Sequence, residues 1–259
     1  MKDLDQTIDT LENARFNWLY ANEIVQMSKD SIFTTNELIC IVMLYHKMVL
    51  ANGPKAKYMS IQQLTTLMLD LFEITDCNIS TTTVFRISHG TQGTHPDFCP
   101  DRHVSLESFV RLLTIYFTRD LDMKMEFAFS IYDKQDKMQL NGEDVGFFLK
   151  KFFDGEDEEE ATELLLDMKE MIFLKFDLDK DTIISFEEYC EVVRKQPLLM
   201  EFLGRVFPTN PRMDVLALCA NVMSWFDDSP NPRTIRKSAA AENGQALVVK
   251  AEPRRISEI

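Results

Sequence analysis

The chain has 259 residues, enough for two small helical units with extensions, and its 45% apolar content is ordinary for a globular core. A formal charge of -14 excludes the basic surface that a nucleic-acid binder needs to neutralise phosphates, and disfavours anionic membranes for the same reason. Five scattered cysteines without a C-x-x-C pair, and no secretory signal, point to a reducing intracellular compartment. Met1-Lys2 lacks the glycine for N-myristoylation and no apolar run approaches a membrane span, so a soluble, unanchored protein is expected.

Scarce glycine with 14 Met and 19 Phe favours helices over turn-rich sheet. Leu4, Ile8, Leu11, Phe16, Leu19 and Ile24 predict an amphipathic helix over residues 4 to 27. Thr34-x-x-Glu37 is a capping box ahead of Leu38, Ile41, Val42, Tyr45 and Val49, and that helix should end near Asn52-Gly53-Pro54. Ser60-x-x-Gln63 repeats the signal before Leu64, Leu67, Leu69 and Phe72, and a shorter helix is predicted at 80 to 88.

Residues 89 to 103 hold two Gly, two Pro and three His and read as an irregular loop. His89, His95, Cys99 and His103 could alternatively offer zinc ligands, although the spacing fits no common zinc module. Helical pattern resumes from Leu106 to Phe117 and from Met123 to Tyr132, then at 145 to 153, 160 to 176 and 186 to 194. The acidic run Asp154 to Glu160 can cap the helix that follows it through Asp157. Pro211 would open a further helix at 212 to 226. From Ser229 the composition predicts a disordered tail carrying six basic and three acidic residues, which could reach an acidic partner or fold back on the acidic body.

The segment FDLDKDTIISFEE carries the chemistry. Counting from Asp177, carboxylates stand at positions 1, 3 and 5 (Asp177, Asp179, Asp181), a backbone carbonyl at 7 (Ile183), a hydroxyl at 9 (Ser185) and Glu188 at 12. A hard divalent cation wants six to eight oxygens; alternate side chains point inward, and a two-oxygen closure by Glu188 widens the shell for calcium rather than magnesium. With apolar faces on both flanks, at Ile172, Phe173 and Phe176 before it and Tyr189, Val192 and Val193 after it, this is an EF-hand. Thr182 stands at position 6, where glycine usually makes the left-handed turn, and costs about 1 to 2 kcal/mol there.

The preceding loop, 133 to 144, keeps Asp133 at position 1 but has Gln135 and Lys137 at 3 and 5, Met138 at 6 and Asp144 at 12. It is expected not to bind calcium, while Leu140 at position 8 and its framing helices survive for packing. Counting back from Val104 as another position 8 gives Asp97, Cys99, Asp101, Ser105 and Ser108, a hand without a closing carboxylate. The expected fold is all-α, an EF-hand protein of two helical lobes with degenerate N-terminal hands. Its expected parts are an N-terminal helix (1 to 30), a degenerate lobe (31 to 118), a C-terminal pair (119 to 208), a C-terminal helix (209 to 228) and the basic tail (229 to 259). No nucleophile elbow, phosphate loop or kinase signature is present, so catalysis is not expected.

From Glu37 to Pro208 the chain resembles the calaxin family, on NELICIVMLYHKMV, the VFR at 84 to 86, SLESFVRLLTIYFTRDLDMKMEFAFSIYD and DLDKDTIISFEEYCEVVRKQPLLMEFLGRVFP. That resemblance implies a calcium-binding sensor or adaptor of the cilium or flagellum, partnered with the outer-arm dynein heavy chain or its docking complex on axonemal microtubules. The acidic charge argues against a nucleic-acid or membrane partner. Residue by residue it carries over only the ligands of the loop at 177 to 188. A calcium-independent structural axonemal protein, and a soluble cytosolic sensor similar to the recoverin or calcineurin-B groups that binds a target helix, are the alternatives.

Overall fold

The computed structural model describes residues 8–53, 55–88, 103–153 and 158–209. The proposed helix at 212 to 226, the basic tail, Leu4, Asp157, and His89, His95 and Cys99 of the zinc alternative lie outside the described residues. His103, the fourth of that group, stacks on the Tyr58 ring at 3.9 Å.

Among the described residues the architecture is all-α apart from two minimal sheets. Helix α1 (Thr10–Met27) lies against α2 (Thr35–Ala51); β1 (Met59–Ser60) and α3 (Ile61–Asp70) follow. Then come α4 (Cys77–Ser88), β2 (His103–Val104), α5 (Leu106–Phe117), α6 (Leu121–Tyr132), β3 (Gln139–Leu140), α7 (Gly142–Leu149), α8 (Glu158–Phe176), β4 (Ile184–Ser185) and α9 (Phe186–Lys195). Single 3-10 turns at Lys150–Phe153 and Pro197–Glu201 complete the order.

The strands pair antiparallel, β1 with β2 through Met59–Val104 and β3 with β4 through Leu140–Ile184. This register reveals a hand that sequence reading passed over. If Met59 faces Val104 as Leu140 faces Ile184, then Met59 is a position 8, and Asn52 to Gln63 is the loop of a first helix–loop–helix unit. The repeated capping boxes were its signal. Ser60, Ser105, Asn141 and Ser185 each cap the helix leaving a loop. In each case position 9 of the loop is the N-cap and position 12 the third helical residue, so one short motif starts the helix that leaves each loop.

The first unit is closed without a carboxylate. Gln63 at position 12 accepts from Asn52 at position 1 (2.8 Å) and from the Ser60 backbone (2.9 Å), and donates to the Met48 carbonyl (2.6 Å). A neutral side-chain bond thus joins the two loop ends.

Several boundaries shift for local reasons. Helix α4 starts three residues earlier than expected because Asp76 accepts from the Asn78 and Ile79 backbones. Helix α7 starts at Gly142 rather than 145 because Asn141 and Asp144 form a capping box, and it tightens into 3-10 geometry after Leu149. The phase of α1 also differs: it begins at Thr10 under an Asp9 cap and buries Asn13, Phe16 and Ile24, whereas Leu11 is 81% exposed and Leu19 37%. Its inner face meets His46 of α2, whose ring lies edge-on to Phe16 and Tyr20.

His46 is 2% exposed, and burial lowers its basicity despite the nearby Glu12 carboxylate at 3.6 Å; Arg15 on the same helix adds to the lowering. A histidine harder to protonate when folded binds fewer protons than the unfolded chain once pH drops below its ordinary value near 6.5. Stability present above that pH is therefore expected to fall as pH falls toward the lowered folded pKa. Thermal melts at pH 7.5 and 5.5 check this: His46→Phe should flatten the difference, and an equal slope in both proteins would refute the assignment.

Candidate metal centre

The loop from Asp177 to Glu188 is set between two well-buried anchors, Phe176 at the end of α8 and Tyr189 in α9, whose rings stack at 6.1 Å. Its backbone takes the left-handed region at position 4 (Lys180, φ 66°) and position 6 (Thr182, φ 70°). The threonine thus adopts the conformation that glycine supplies more easily.

Asp177 accepts from the Thr182 backbone at 3.0 Å and from Asp181 at 3.2 Å. Asp179 also accepts from Asp181 (3.1 Å), and Asp181 accepts from Ile183 (2.8 Å). Glu188 reaches across the loop: one oxygen accepts from Leu178 (2.7 Å) and Asp179 (3.3 Å), the other from the Ser185 backbone (2.9 Å) and hydroxyl (2.7 Å).

Oxygens of Asp177, Asp179 and Glu188 lie within 4.8 Å of one another. The structure thus brings three of the six expected ligands together. Asp181 is not one of the three, and Ser185 is engaged with Glu188.

The electrostatics show the cost of that gathering. At Asp179 the Asp181 N–H pulls the carboxyl down, but lost hydration and the carboxylates of Asp181, Glu188 and Asp177 outweigh it and raise its pKa. At Glu188 burial pushes upward, yet the four donors from Ser185, Leu178 and Asp179 prevail and hold it below the ordinary value. Like charges packed this closely are stabilised by a cation among them.

The neighbouring loop shares the backbone without the ligands. Asp136 and Met138, its positions 4 and 6, have φ 55° and 57°, and Asp133 accepts from Met138 at 2.7 Å just as Asp177 accepts from Thr182. Arg86 from α4 grips this loop from outside through the Asp136 carboxylate and the Asp133 carbonyl. Sequence reading found VFR at 84 to 86 but had no means of pairing Arg86 with a loop about fifty residues away.

The fold and its loops define an EF-hand protein: helix–loop–helix units paired through position 8, with one loop retaining the ligand pattern. The chain is calaxin-like. It is 25% identical to calaxin of Xenopus laevis over 179 residues, 68% of this chain and 82% of that protein. It is 27% identical to calaxin of Danio rerio over 134 residues (47% and 64%) and 28% identical to that of Bos taurus over 109 (42% and 51%). The matched stretch spans less than two thirds of the Danio rerio and Bos taurus proteins. No protein-family model matches the chain. Among the described residues no helix is long and apolar enough to cross a membrane.

Proposed function

We propose that the chain is a calcium-binding adaptor rather than an enzyme, holding one calcium ion through Asp177, Asp179, Asp181, Ser185 and Glu188 and the Ile183 carbonyl. The observation that carries this reading is the convergence of the Asp177, Asp179 and Glu188 oxygens on a loop with left-handed residues at positions 4 and 6. The likeness to calaxins supports a place in the cilium or flagellum, bound to the outer-arm dynein heavy chain or its docking proteins. The helix–loop–helix pairs would form two lobes, residues 31 to 118 and 119 to 208, with the N-terminal helix against the first.

Tagged full-length chain incubated with axonemal extract, in calcium and in chelator, tests the partner. Recovery of dynein or docking-complex subunits that changes between the two conditions is the expected outcome. Recovery of neither refutes the axonemal reading, and equal recovery in both favours the second reading, a calcium-independent structural protein. Thr182 and the ligand-poor neighbouring loops are the observations behind that alternative.

Thr182→Gly gives a graded check on the site. Thr182 already holds φ 70° in the folded loop, so relief of about 1 to 2 kcal/mol of left-handed strain should appear as folding stability, less the freedom that glycine adds to the unfolded chain, with calcium affinity by calorimetry little changed. An affinity gain of about five- to thirtyfold would instead mean that the strain is taken up on binding.

A further inference from the structure

The four helices that frame the C-terminal loops make a groove lined by aromatic rings, and the chain itself fills it. Phe202, just after the 3-10 turn Pro197–Glu201, sits 4.3 Å from Phe176 of α8, 5.4 Å from Tyr132 of α6 and 5.9 Å from Tyr189 of α9. Phe148 of α7 closes the fourth side by packing edge-on to Tyr132. Two phenols from the groove wall reach the backbone of this segment: Tyr189 donates to the Met200 carbonyl (2.8 Å) and Tyr132 to the Gly204 carbonyl (2.7 Å).

The segment then turns away from the groove and continues as an anchored strap. Glu201 accepts from both the Val206 and Phe207 backbones at 2.7 Å. Leu203 and Val206 are fully buried, and Phe207 packs between Tyr116 of α5 and Phe127 of α6. One aromatic anchor seated among rings, with aliphatic neighbours spaced along a short helical turn, is the chemistry by which an amphipathic peptide occupies a helical groove.

We infer that Phe202, held by the backbone of Met200 and Gly204 on either side of it, is the resident occupant of the groove of the C-terminal pair, so that an external amphipathic helix with an aromatic anchor enters only by displacing the strap that carries it. Calcium at the loop then stiffens a hand whose groove is already sealed and does not by itself uncover an apolar surface. Partners of the closed protein meet other faces of the molecule.

The test uses the full chain, with 1-anilinonaphthalene-8-sulfonate fluorescence as the probe of open apolar surface and amide hydrogen exchange across residues 197–207. In chelator, Phe202→Ala is expected to raise dye fluorescence several-fold and to speed exchange at 203–207, with α-helical circular dichroism retained. Phe202→Leu, which keeps apolar volume in the groove, is expected to stay near the wild-type level; this separates unsealing from general unfolding. Wild-type protein in 1 mM calcium should show no rise. Fluorescence unchanged in Phe202→Ala, an equal rise in Phe202→Leu, or a calcium-induced rise in wild type each overturns the inference. The chelator arms read the strap without reference to metal, so failure of calcium binding would leave them intact.

Discussion

Glu188→Gln is expected to weaken calcium binding by about a hundredfold or more in calorimetry, the equivalent of roughly 3 kcal/mol. Position 12 supplies both closing oxygens of an EF-hand loop, and an amide offers one oxygen and no charge. In this chain the substitution strikes twice. Glu188 is the member of the converging trio that spans the loop, linking Leu178 and Asp179 at its start to Ser185 at its end. One amide oxygen cannot accept all four bonds that the two carboxylate oxygens take from Leu178, Asp179 and the Ser185 backbone and hydroxyl. The loop should therefore lose rigidity as well as a ligand. Ser185→Ala is the useful contrast. It removes the cap of α9 and the hydroxyl donor to Glu188, costing about 1 kcal/mol of stability, but leaves the carboxylate charge in place. Its effect on affinity should be well below tenfold. Comparable losses from both substitutions would mean that loop order, and not the carboxylate, governs binding.

The convergence of Asp177, Asp179 and Glu188 could be anticipated because the pattern is local: every proposed ligand lies within twelve residues, and the spacing states which side chains point inward. The capping boxes at Thr34 and Ser60 were legible for the same reason, and both form. What could not be read depended on distance in the chain. The hand at Asn52 to Gln63 carries almost no ligand chemistry, and it shows itself through the pairing of Met59 with Val104. The grip of Arg86 on the loop at 133 to 144 is likewise a tertiary fact. Helix α1 was legible in part: Phe16 and Ile24 are buried as their period suggests, while Leu11 and Leu19 fit the same period and stay exposed. A period does not say how wide a face meets the core, and here α2 offers His46 and its apolar neighbours to the side of Asn13, Phe16 and Ile24.

Gly204→Ala is expected to destabilise the protein by about 2 to 4 kcal/mol, lowering the melting temperature by roughly 5 to 15 °C for a chain of this size. Two independent costs add. Gly204 has φ 135°, a backbone region that side-chain-bearing residues rarely adopt. A β-carbon there would also lie 2.5 Å from the Lys151 ammonium, 2.9 Å from Ile79 Cδ1 and 3.2 Å from an Asp76 oxygen. Those neighbours are not idle: Lys151 pairs with Asp76, which caps α4, and also donates to the Leu203 carbonyl at 3.4 Å. The Gly204 carbonyl meanwhile holds the Tyr132 hydroxyl. The glycine is thus the point where the strap passes between α4 and the turn after α7, and bulk there pushes on both. Repeating the substitution in a Lys151→Met background separates the costs, since the thioether can bend aside while the dihedral strain remains. The second step should then cost less than it does in wild type, by the share due to crowding. Strict additivity would remove Lys151 from the cost and leave it to backbone strain and the contacts with Ile79 and Asp76, and a Gly204→Ala protein that melts with wild type would remove the close approach of strap and helix as a stabilising contact.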